Sequence, residues 1–221
     1  MESPFCEAQR DGTRLIETFG YRPGQGIARL DLHLKRLERS AAALGFEFEP
    51  KAVQTAVAEI RGKEALRCRL TLGAAGDVEI TTAAMPPAAN APWVFRIAEE
   101  SLSSADPYLQ YKTTRRAVYD RWRADLPDGV QEWVFLNEHG EVCEGTITNI
   151  TVTTQEGERL TPPIAAGCLP GVYRESRLRK GLLVEARLTL EDLRCAKSIN
   201  LVNSLRGSTN AHWDCNCSFF R

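Results

Sequence analysis

Short segments of this 221-residue chain carry residue types that ordinary packing does not explain. Glu144 lies in Val-Cys-Glu-Gly-Thr-Ile-Thr-Asn-Ile, a run otherwise composed like a buried strand, where an ionised carboxylate needs a partner. Lys112 opens Lys-Thr-Thr-Arg-Arg at a junction between a strand and a helix. Residues 169–174, Leu-Pro-Gly-Val-Tyr-Arg, read as a turn entering a helix, whose first N–H groups and positive dipole end suit an anion. The segments together supply an amine, a buried carboxylate and an anion-binding helix start.

Other kinds of chemistry lack support in the sequence. The chain has no Gly-x-Gly-x-x-Gly, no Walker lysine loop, no Gly-x-Ser-x-Gly and no His-Glu-x-x-His, which weakens nucleotide-binding, serine-hydrolase and zinc-protease interpretations. Lys plus Arg number 28 and Asp plus Glu 29, a net charge of -1 that argues against a nucleic-acid binder. No apolar run is long enough for a membrane span, and the start lacks a secretory pattern, so we expect a cytoplasmic protein.

The cysteines predict neither disulfides nor a metal site. Their odd count of 7 and the lack of repeated Cys-x-x-Cys spacing favour reduced thiols, most of them small buried hydrophobes. Metal-ligand types bunch only at residues 212–217, where one Cys-x-Cys with one His falls short of a tetrahedral zinc pattern. A thiol hydrolase has no local signature and stays a remote alternative.

The elements before residue 85 predict a small α/β domain. Residues 13–19 read as a strand, and a helix follows with leucines at three-to-four spacing, Asp31 as its N-cap and Gly45 as its stop. Pro50 opens a second helix that Gly62 ends, and residues 66–80 alternate as a hairpin. We place the domain at residues 1–85 and a Pro- and Ala-rich linker at 86–92.

A larger domain, residues 93–221, mixes strands and helices, so the fold class is α+β. Its strands are expected at 93–98, within 132–160, at 183–188 and, as the last strand, at 199–203. Breaks within 132–160 are expected at 137–140 and 155–157. Helices are expected at 114–124, after Gly171 and after Thr189, which forms a capping-box pattern with Asp192.

The motifs, in this order along nearly the whole chain, resemble those of the class IV aminotransferase family. These fold-type IV pyridoxal-phosphate enzymes include branched-chain and D-amino acid aminotransferases and aminodeoxychorismate lyase. Lys-Thr-Thr-x-Arg and Asn-Ser-Leu-Arg-Gly look most like the aminodeoxychorismate lyase branch. The segments that carry the resemblance lie at residues 15–19, 29–41, 111–120, 137–150, 169–174 and 203–207.

The resemblance implies roles for the amine and the carboxylate. Lys112 would form a Schiff base with the aldehyde of pyridoxal 5'-phosphate and later shuttle a proton between carbon atoms. Glu144 would face the pyridine nitrogen and keep it protonated. Asn149 would brace the cofactor site rather than contact substrate, because it falls on the opposite face if the strand is regular.

The same resemblance implies a phosphate site and an assembly. Arg36, the N–H groups of Val172 and Tyr173, and the hydroxyl of Ser204 would hold the 5'-phosphate. The substrate would be a small carboxylate, and the enzyme a homodimer with a small α/β N-terminal domain and a larger β-rich domain.

Several alternatives stay open at this stage. The reaction is either the lyase reaction, which gives 4-aminobenzoate and pyruvate, or transamination between a small amino acid and a 2-oxo acid. A cofactor-binding homologue without turnover is a remote rival. Arg36 also fits a solvated helix face, His33 fits a packed or helix-surface histidine better than a general base, and Ser204 fits a simple turn residue. Arg116 fits a solvated helix face or a contact to an anion.

Overall fold

The computed structural model describes residues 12–215 of the chain, which divide into two compact units. Among the described residues, unit 1 contains those up to Pro87 together with residues 111–115. Unit 2 contains residues 88–110 and those from Arg116 onward. The boundary after Pro87 falls within the stretch predicted as a linker, and residues 111–115 carry the candidate Lys112.

Unit 1 is a 4-stranded antiparallel sheet with two helices. The strand order is β2-β1-β3-β4, and β1 pairs with β3 from Leu15 opposite Leu72 to Tyr21 opposite Leu66. Leu15, Phe19 and Leu37 are buried in its core. Its elements are β1 (Leu15–Arg22), β2 (Gly26–Ile27), α1 (Leu30–Leu44), α2 (Pro50–Ala58), β3 (Leu66–Leu72) and β4 (Val78–Ala84).

The helix ends of unit 1 differ in detail from the sequence expectation. Gly45 ends α1 with φ 70, as predicted, but Arg29 and not Asp31 is the N-cap residue, with φ 59. The helix therefore begins two residues earlier than expected, at Leu30, and Asp31 lies in its first turn, where a carboxylate interacts favourably with the helix dipole. Helix α2 ends at Ala58 rather than at Gly62. Arg61 donates to the carbonyls of Ala58 and Ile60 and so satisfies the end of the helix earlier.

The segment 111–115 is held against β1 by backbone hydrogen bonds. Ile16 N donates to Lys112 O at 2.7 Å, and Thr114 N donates to Arg14 O at 2.9 Å. Thr113 forms an antiparallel bridge with Leu15. The backbone of Lys112 is therefore fixed to the main strand of unit 1.

Unit 2 is an 8-stranded sheet that closes on itself. Its order is β10-β9-β8-β11-β12-β5-β6-β7, and an additional β8–β7 pairing joins β8, β11, β12, β5, β6 and β7 into a ring. Phe95, Val134 and Ile150 belong to its core. Its elements are β5 (Trp93–Ile97), α3 (Ala117–Ala124), β6 (Glu132–Leu136), β7 (Val142–Gly145), β8 (Asn149–Thr153), β9 (Arg159–Thr161), α4 (Val172–Leu178), β10 (Val184–Glu185), α5 (Leu190–Arg194), β11 (Ser198–Asn203) and β12 (Gly207–Trp213).

The sequence expectation for unit 2 was wrong at two places that matter. Residues 144–150 are not one continuous strand, because the chain turns between β7 and β8 and pairs Glu144 with Asn149. Ser198–Asn203 is not the last strand, because β12 follows it and lies between β11 and β5 in the sheet. The capping box of Thr189 and Asp192 at α5 is confirmed.

Of the helices in the described residues, none has the length and apolar character needed to cross a bilayer.

Candidate active site

Glu144 is a buried carboxylate surrounded by hydrogen-bond donors. It is the penultimate residue of β7, with 6% of its surface exposed. Tyr119, on α3, donates its hydroxyl to Oε1 at 2.7 Å, and the backbone N–H of Leu169 donates to Oε2 at 3.0 Å. Asn149 Nδ2 lies 3.4 Å from Oε2. Burial raises the pKa of Tyr119, and the charge of Glu144 raises it further, so the tyrosine stays a neutral donor.

Asn149 ties the strand pair to the loop that opens α4. Its Nδ2 donates to the carbonyl of Leu169 at 2.9 Å, so Glu144 and Asn149 hold the N–H and the C=O of the same residue. A Cβ on Gly171 would lie 1.9 Å from Asn149 Oδ1, so this position requires glycine. The expectation that Asn149 faces away from Glu144 assumed a regular strand. The β7–β8 turn instead places the two residues opposite each other.

The start of α4 and the β11–β12 turn lie side by side. Gly171 precedes α4 without a side-chain cap, and Val172 and Tyr173 occupy the first turn, where backbone N–H groups have no acceptor within the helix. The ring of Tyr173 lies 3.9 Å from the place where a Cβ on Gly207 would stand. Ser204 is a half-buried residue of the turn between β11 and β12. Tyr173, at the start of α4, therefore lies beside the end of the turn that contains Ser204.

Arg36 and Lys112 belong to unit 1. Arg36 is buried on α1, where Nε donates to Glu17 Oε1 at 2.8 Å and Nη2 to Glu17 Oε2 at 2.7 Å. His33 Nδ1 lies 2.5 Å from Glu17 Oε2, so the structure confirms His33 as a packed histidine. Neither Arg36 nor His33 lies on a solvated helix face.

The charge state of this buried group follows from its neighbours. Burial alone would raise the pKa of Glu17, but the charge of Arg36 and the hydrogen bond from His33 outweigh burial and lower the pKa to about 2. Because an ionised carboxylate only accepts hydrogen bonds, His33 carries a proton on Nδ1. The Glu17 carboxylate thus fixes the orientation of the Arg36 guanidinium.

The residues of unit 2 fit a group that combines a protonated ring nitrogen with an anionic phosphate. Glu144 supplies a buried carboxylate, which accepts a hydrogen bond from Leu169 N–H. The loop that contains Leu169 continues through Gly171 into the start of α4. A carboxylate suits the protonated ring nitrogen of pyridoxal phosphate, and a helix start suits its phosphate. Within residues 12–215 no group of three or more His, Cys, Asp or Glu is arranged to hold a metal ion.

Sequence reasoning missed the residues that surround Glu144. Tyr119 was noted only as part of the family pattern, and Glu132 only as the start of a strand region. Arg116 donates from Nη2 to the Thr146 carbonyl at 2.6 Å, and its guanidinium lies over the Tyr119 ring at 5.1 Å. A glutamate at the start of an otherwise apolar strand was the available signal for Glu132.

Comparison with known proteins identifies the family of this chain. The profile of the amino-transferase class IV family matches residues 14–212. A solved structure from Mesorhizobium loti, provisionally described as an amino-acid aminotransferase, is 37% identical with a TM-score of 0.84, covering 91% of this chain and 99% of that one. The fold and site therefore define a fold-type IV enzyme. The chain belongs to the class IV aminotransferase family, whose members depend on pyridoxal phosphate.

Curated relatives point to the lyase branch of the family. The aminodeoxychorismate lyase of Saccharomyces cerevisiae is 29% identical over 133 residues, which are 52% of this chain and 35% of that protein. A Schizosaccharomyces pombe protein, provisionally described as an aminodeoxychorismate lyase, is 27% identical over 187 residues, 80% of each chain. This chain thus spans about a third of the length of the Saccharomyces cerevisiae enzyme and most of the length of the Schizosaccharomyces pombe protein.

Proposed function

We propose that this chain is a pyridoxal-phosphate enzyme that cleaves aminodeoxychorismate to 4-aminobenzoate and pyruvate. The observation that carries the proposal is the buried Glu144, linked through Leu169 to the loop that opens α4. The similarity to an aminodeoxychorismate lyase, and to a protein provisionally described as one, supports this substrate among those of the family.

Each residue of the site then has a task that its surroundings support. When bound, pyridoxal phosphate supplies an electron sink at the carbon that loses its proton. Lys112 Nζ would hold the cofactor covalently and then accept and return that proton, from a backbone fixed to β1. Glu144 would hold a proton on the ring nitrogen, because Tyr119 and Leu169 N–H keep its carboxylate in place.

Phosphate binding is proposed for Val172, Tyr173, Ser204 and Arg36, as the family resemblance implies. In unit 2, the first-turn N–H groups of Val172 and Tyr173 and the Ser204 hydroxyl would bind phosphate oxygens, and Asn149 would keep the loop before them in place. In unit 1, the Arg36 guanidinium would add charge from an orientation that Glu17 fixes.

Transamination is the second candidate, favoured by the 37% identity to the Mesorhizobium loti protein. It would use the same cofactor residues and differ in its products. Transamination converts the amino donor to a 2-oxo acid, whereas the lyase reaction releases pyruvate together with the aromatic amine 4-aminobenzoate.

The test is to give the cofactor-loaded protein each substrate set in parallel. We expect 4-aminobenzoate and pyruvate from aminodeoxychorismate, and no 2-oxo acid from glutamate, D-alanine or branched-chain amino acids paired with an acceptor. Formation of a 2-oxo acid from an amino donor without 4-aminobenzoate would favour the transaminase. A protein that holds the cofactor and turns over neither set would be a binding homologue.

The location and assembly of the enzyme are part of the same proposal. Five cysteines are unbridged thiols, as suits a reducing cytoplasm: Cys68, Cys143, Cys168, Cys195 and Cys215. Cys6 and Cys217 lie outside the described residues.

A homodimer is expected from the family resemblance. Light scattering at twice the chain mass of 24.6 kDa would support it, and the mass of a single chain would contradict it.

A further inference from the structure

Glu132 is a fully buried carboxylate in unit 2 whose oxygens face one turn of the chain. It begins β6 with 0% exposure. Oε1 accepts from Thr146 N at 3.1 Å and from the Thr146 hydroxyl. Oε2 accepts from the Thr148 hydroxyl at 3.0 Å and from Ile147 N at 3.3 Å. The backbone and side chains of one turn thus converge on a single carboxylate.

The turn that Glu132 holds connects the two residues of the candidate site. Glu144 lies just before it and Asn149 just after it, opposite each other in the β7–β8 pairing. Gly145 packs against Glu132, since a Cβ at this glycine would stand 2.9 Å from the Glu132 Cγ and Cδ atoms. Any shift of the Glu132 side chain therefore reaches the turn, and through it the position of the Glu144 carboxylate.

Two arginine side chains, that of Arg116 just before α3 and that of Arg123 within it, also contact this turn. Arg123 Nη1 lies 3.1 Å from the Thr146 hydroxyl and 3.4 Å from Glu132 Oε1. Arg116 donates to the Thr146 carbonyl. Burial raises the pKa of Glu132, and the threonine hydroxyls and Arg123 act against that rise. Because a buried carboxylate is costly unless it is well hydrogen-bonded, so elaborate a set of donors indicates a fixed geometry at this point.

We propose that Glu132 is a positioning residue for the reaction proposed above: it fixes the 145–148 turn and thereby the Glu144 carboxylate and the Asn149 amide. Glu132 does not contact the cofactor in this account and acts only through the turn. The inference rests on the proposed function for its effect on turnover, but the attachment of the turn can be tested without cofactor.

The first test compares wild type, Glu132→Gln and a surface control, Glu100→Gln, as apoproteins by hydrogen exchange with mass spectrometry. The Gln amide would point an N–H at backbone donors, so we expect faster exchange in residues 144–149 for Glu132→Gln and not for Glu100→Gln. Unchanged exchange in a folded Glu132→Gln variant would overturn the proposal.

The second test uses the same variants loaded with pyridoxal phosphate. We expect kcat to fall by about a hundredfold in Glu132→Gln with KM changed much less, since an error of about 1 Å in a reacting group costs about that much. The pH midpoint of the bound cofactor's absorbance should shift as well, because in the proposed function Glu144 would hold the proton on the ring nitrogen. Faster exchange with unchanged kcat and unchanged midpoint would make Glu132 merely structural and overturn the proposal.

A milder pair keeps the proposal falsifiable if Glu132→Gln does not fold. Thr148→Val removes one hydroxyl donor to Glu132 at constant size, and Thr148→Ser retains it. We expect Thr148→Val to shift the absorbance midpoint and lower kcat, Thr148→Ser to restore both, and Thr151→Val, on β8 just after the turn, to change neither. Equal behaviour of the Val and Ser variants at Thr148 would contradict the proposal. A wild-type protein that binds no cofactor would refute the proposed function, while the exchange experiment would still decide whether Glu132 holds the turn.

Discussion

The two units of the chain bury carboxylates in opposite chemical settings. In unit 1, Glu17 is surrounded by a guanidinium and an imidazole, and its pKa is lowered to about 2. In unit 2, Glu144 receives its hydrogen bonds from a phenol, an amide and a backbone N–H, which carry no charge. The Arg36 guanidinium pairs with the first carboxylate within unit 1. Neutral donors orient the second.

This difference shows how the same residue type is divided between stability and function. Glu17 and Arg36 form a buried ion pair, so the carboxylate of unit 1 holds the Arg36 guanidinium in place. In the proposed function, the Glu144 carboxylate would hold a proton on the ring nitrogen of the cofactor. We therefore expect substitutions at Glu144 to reduce turnover mainly, and substitutions at Glu17 to reduce stability mainly.

The largest expected effect is on turnover in Glu144→Gln. The neutral amide cannot hold a proton on the ring nitrogen, so we expect kcat to fall by about 10²- to 10³-fold, as for other losses of preorganised charge. Steady-state kinetics on cofactor-loaded protein would measure it, with Glu138→Gln, an exposed carboxylate of the same unit, as the control. Wild-type turnover in a Glu144→Gln variant that retains cofactor would contradict the role of this residue.

A second prediction concerns stability in Glu17→Gln. Removing the carboxylate leaves the Arg36 charge buried without its partner, which typically costs about 3–5 kcal/mol of unfolding free energy. Denaturant unfolding of the apoprotein would measure the loss. Glu79→Gln, at a side chain 68% exposed on β4, should change stability by no more than about 0.5 kcal/mol. A loss in Glu17→Gln no larger than in Glu79→Gln would show that Glu17 is not a buried ion-pair partner.

The same carboxylate gives a pH dependence with a definite sign. The pKa of Glu17 has its ordinary value of 4.5 in the unfolded chain and is lowered to about 2 in the folded chain. The unfolded chain therefore takes up a proton at Glu17 at a higher pH than the folded chain does, so acid favours the unfolded state. Its stabilisation is fully present above pH 4.5 and is lost as the pH falls toward 2, by at most about 1.4 kcal/mol per pH unit. The stability difference between wild type and Glu17→Gln should shrink over this range. A difference that stays constant with pH would contradict the lowered pKa.

The smallest expected effect is in Tyr119→Phe. The change removes one hydrogen bond to a charged group, worth about 1.5–3 kcal/mol, while the ring can still pack against Phe135. Because Leu169 N–H still holds the other oxygen, we expect kcat to fall by about tenfold and the fold to persist. The comparison is made with Tyr21→Phe, in unit 1, which should retain wild-type kcat. A loss as large as that of Glu144→Gln would mean that Tyr119 does more than orient this carboxylate.

The sequence draws attention to single residues more readily than to their surroundings. Glu144 stands out because a glutamate in an apolar run needs a partner, whereas Lys112 is singled out by the family resemblance, since a lysine at a helix start is usually a solvated surface group. The turn after Glu144 was missed because Thr146, Ile147 and Thr148 are residues that favour strands. Only the carboxylate of Glu132, distant in sequence, makes a turn favourable there.

Pairing between distant segments explains the other omissions. Strand β12 alternates weakly, and its place in the sheet depends on β11 and β5, which no local pattern reveals. Glu17 was noted only within a predicted strand, because periodicity does not say that Arg36 and His33 on the next helix face it. Helix α1 itself was predictable, since its leucine spacing and Gly45 are local signals.

The most direct test of the account is to identify the lysine that carries pyridoxal phosphate. Borohydride reduction of the loaded protein, followed by digestion and mass spectrometry, fixes the cofactor to its lysine. The account predicts a modification at Lys112, absent in Lys112→Ala and retained in the control Lys197→Ala. Modification at Lys35, Lys51, Lys63, Lys180 or Lys197 in place of Lys112, or at no lysine, would contradict it.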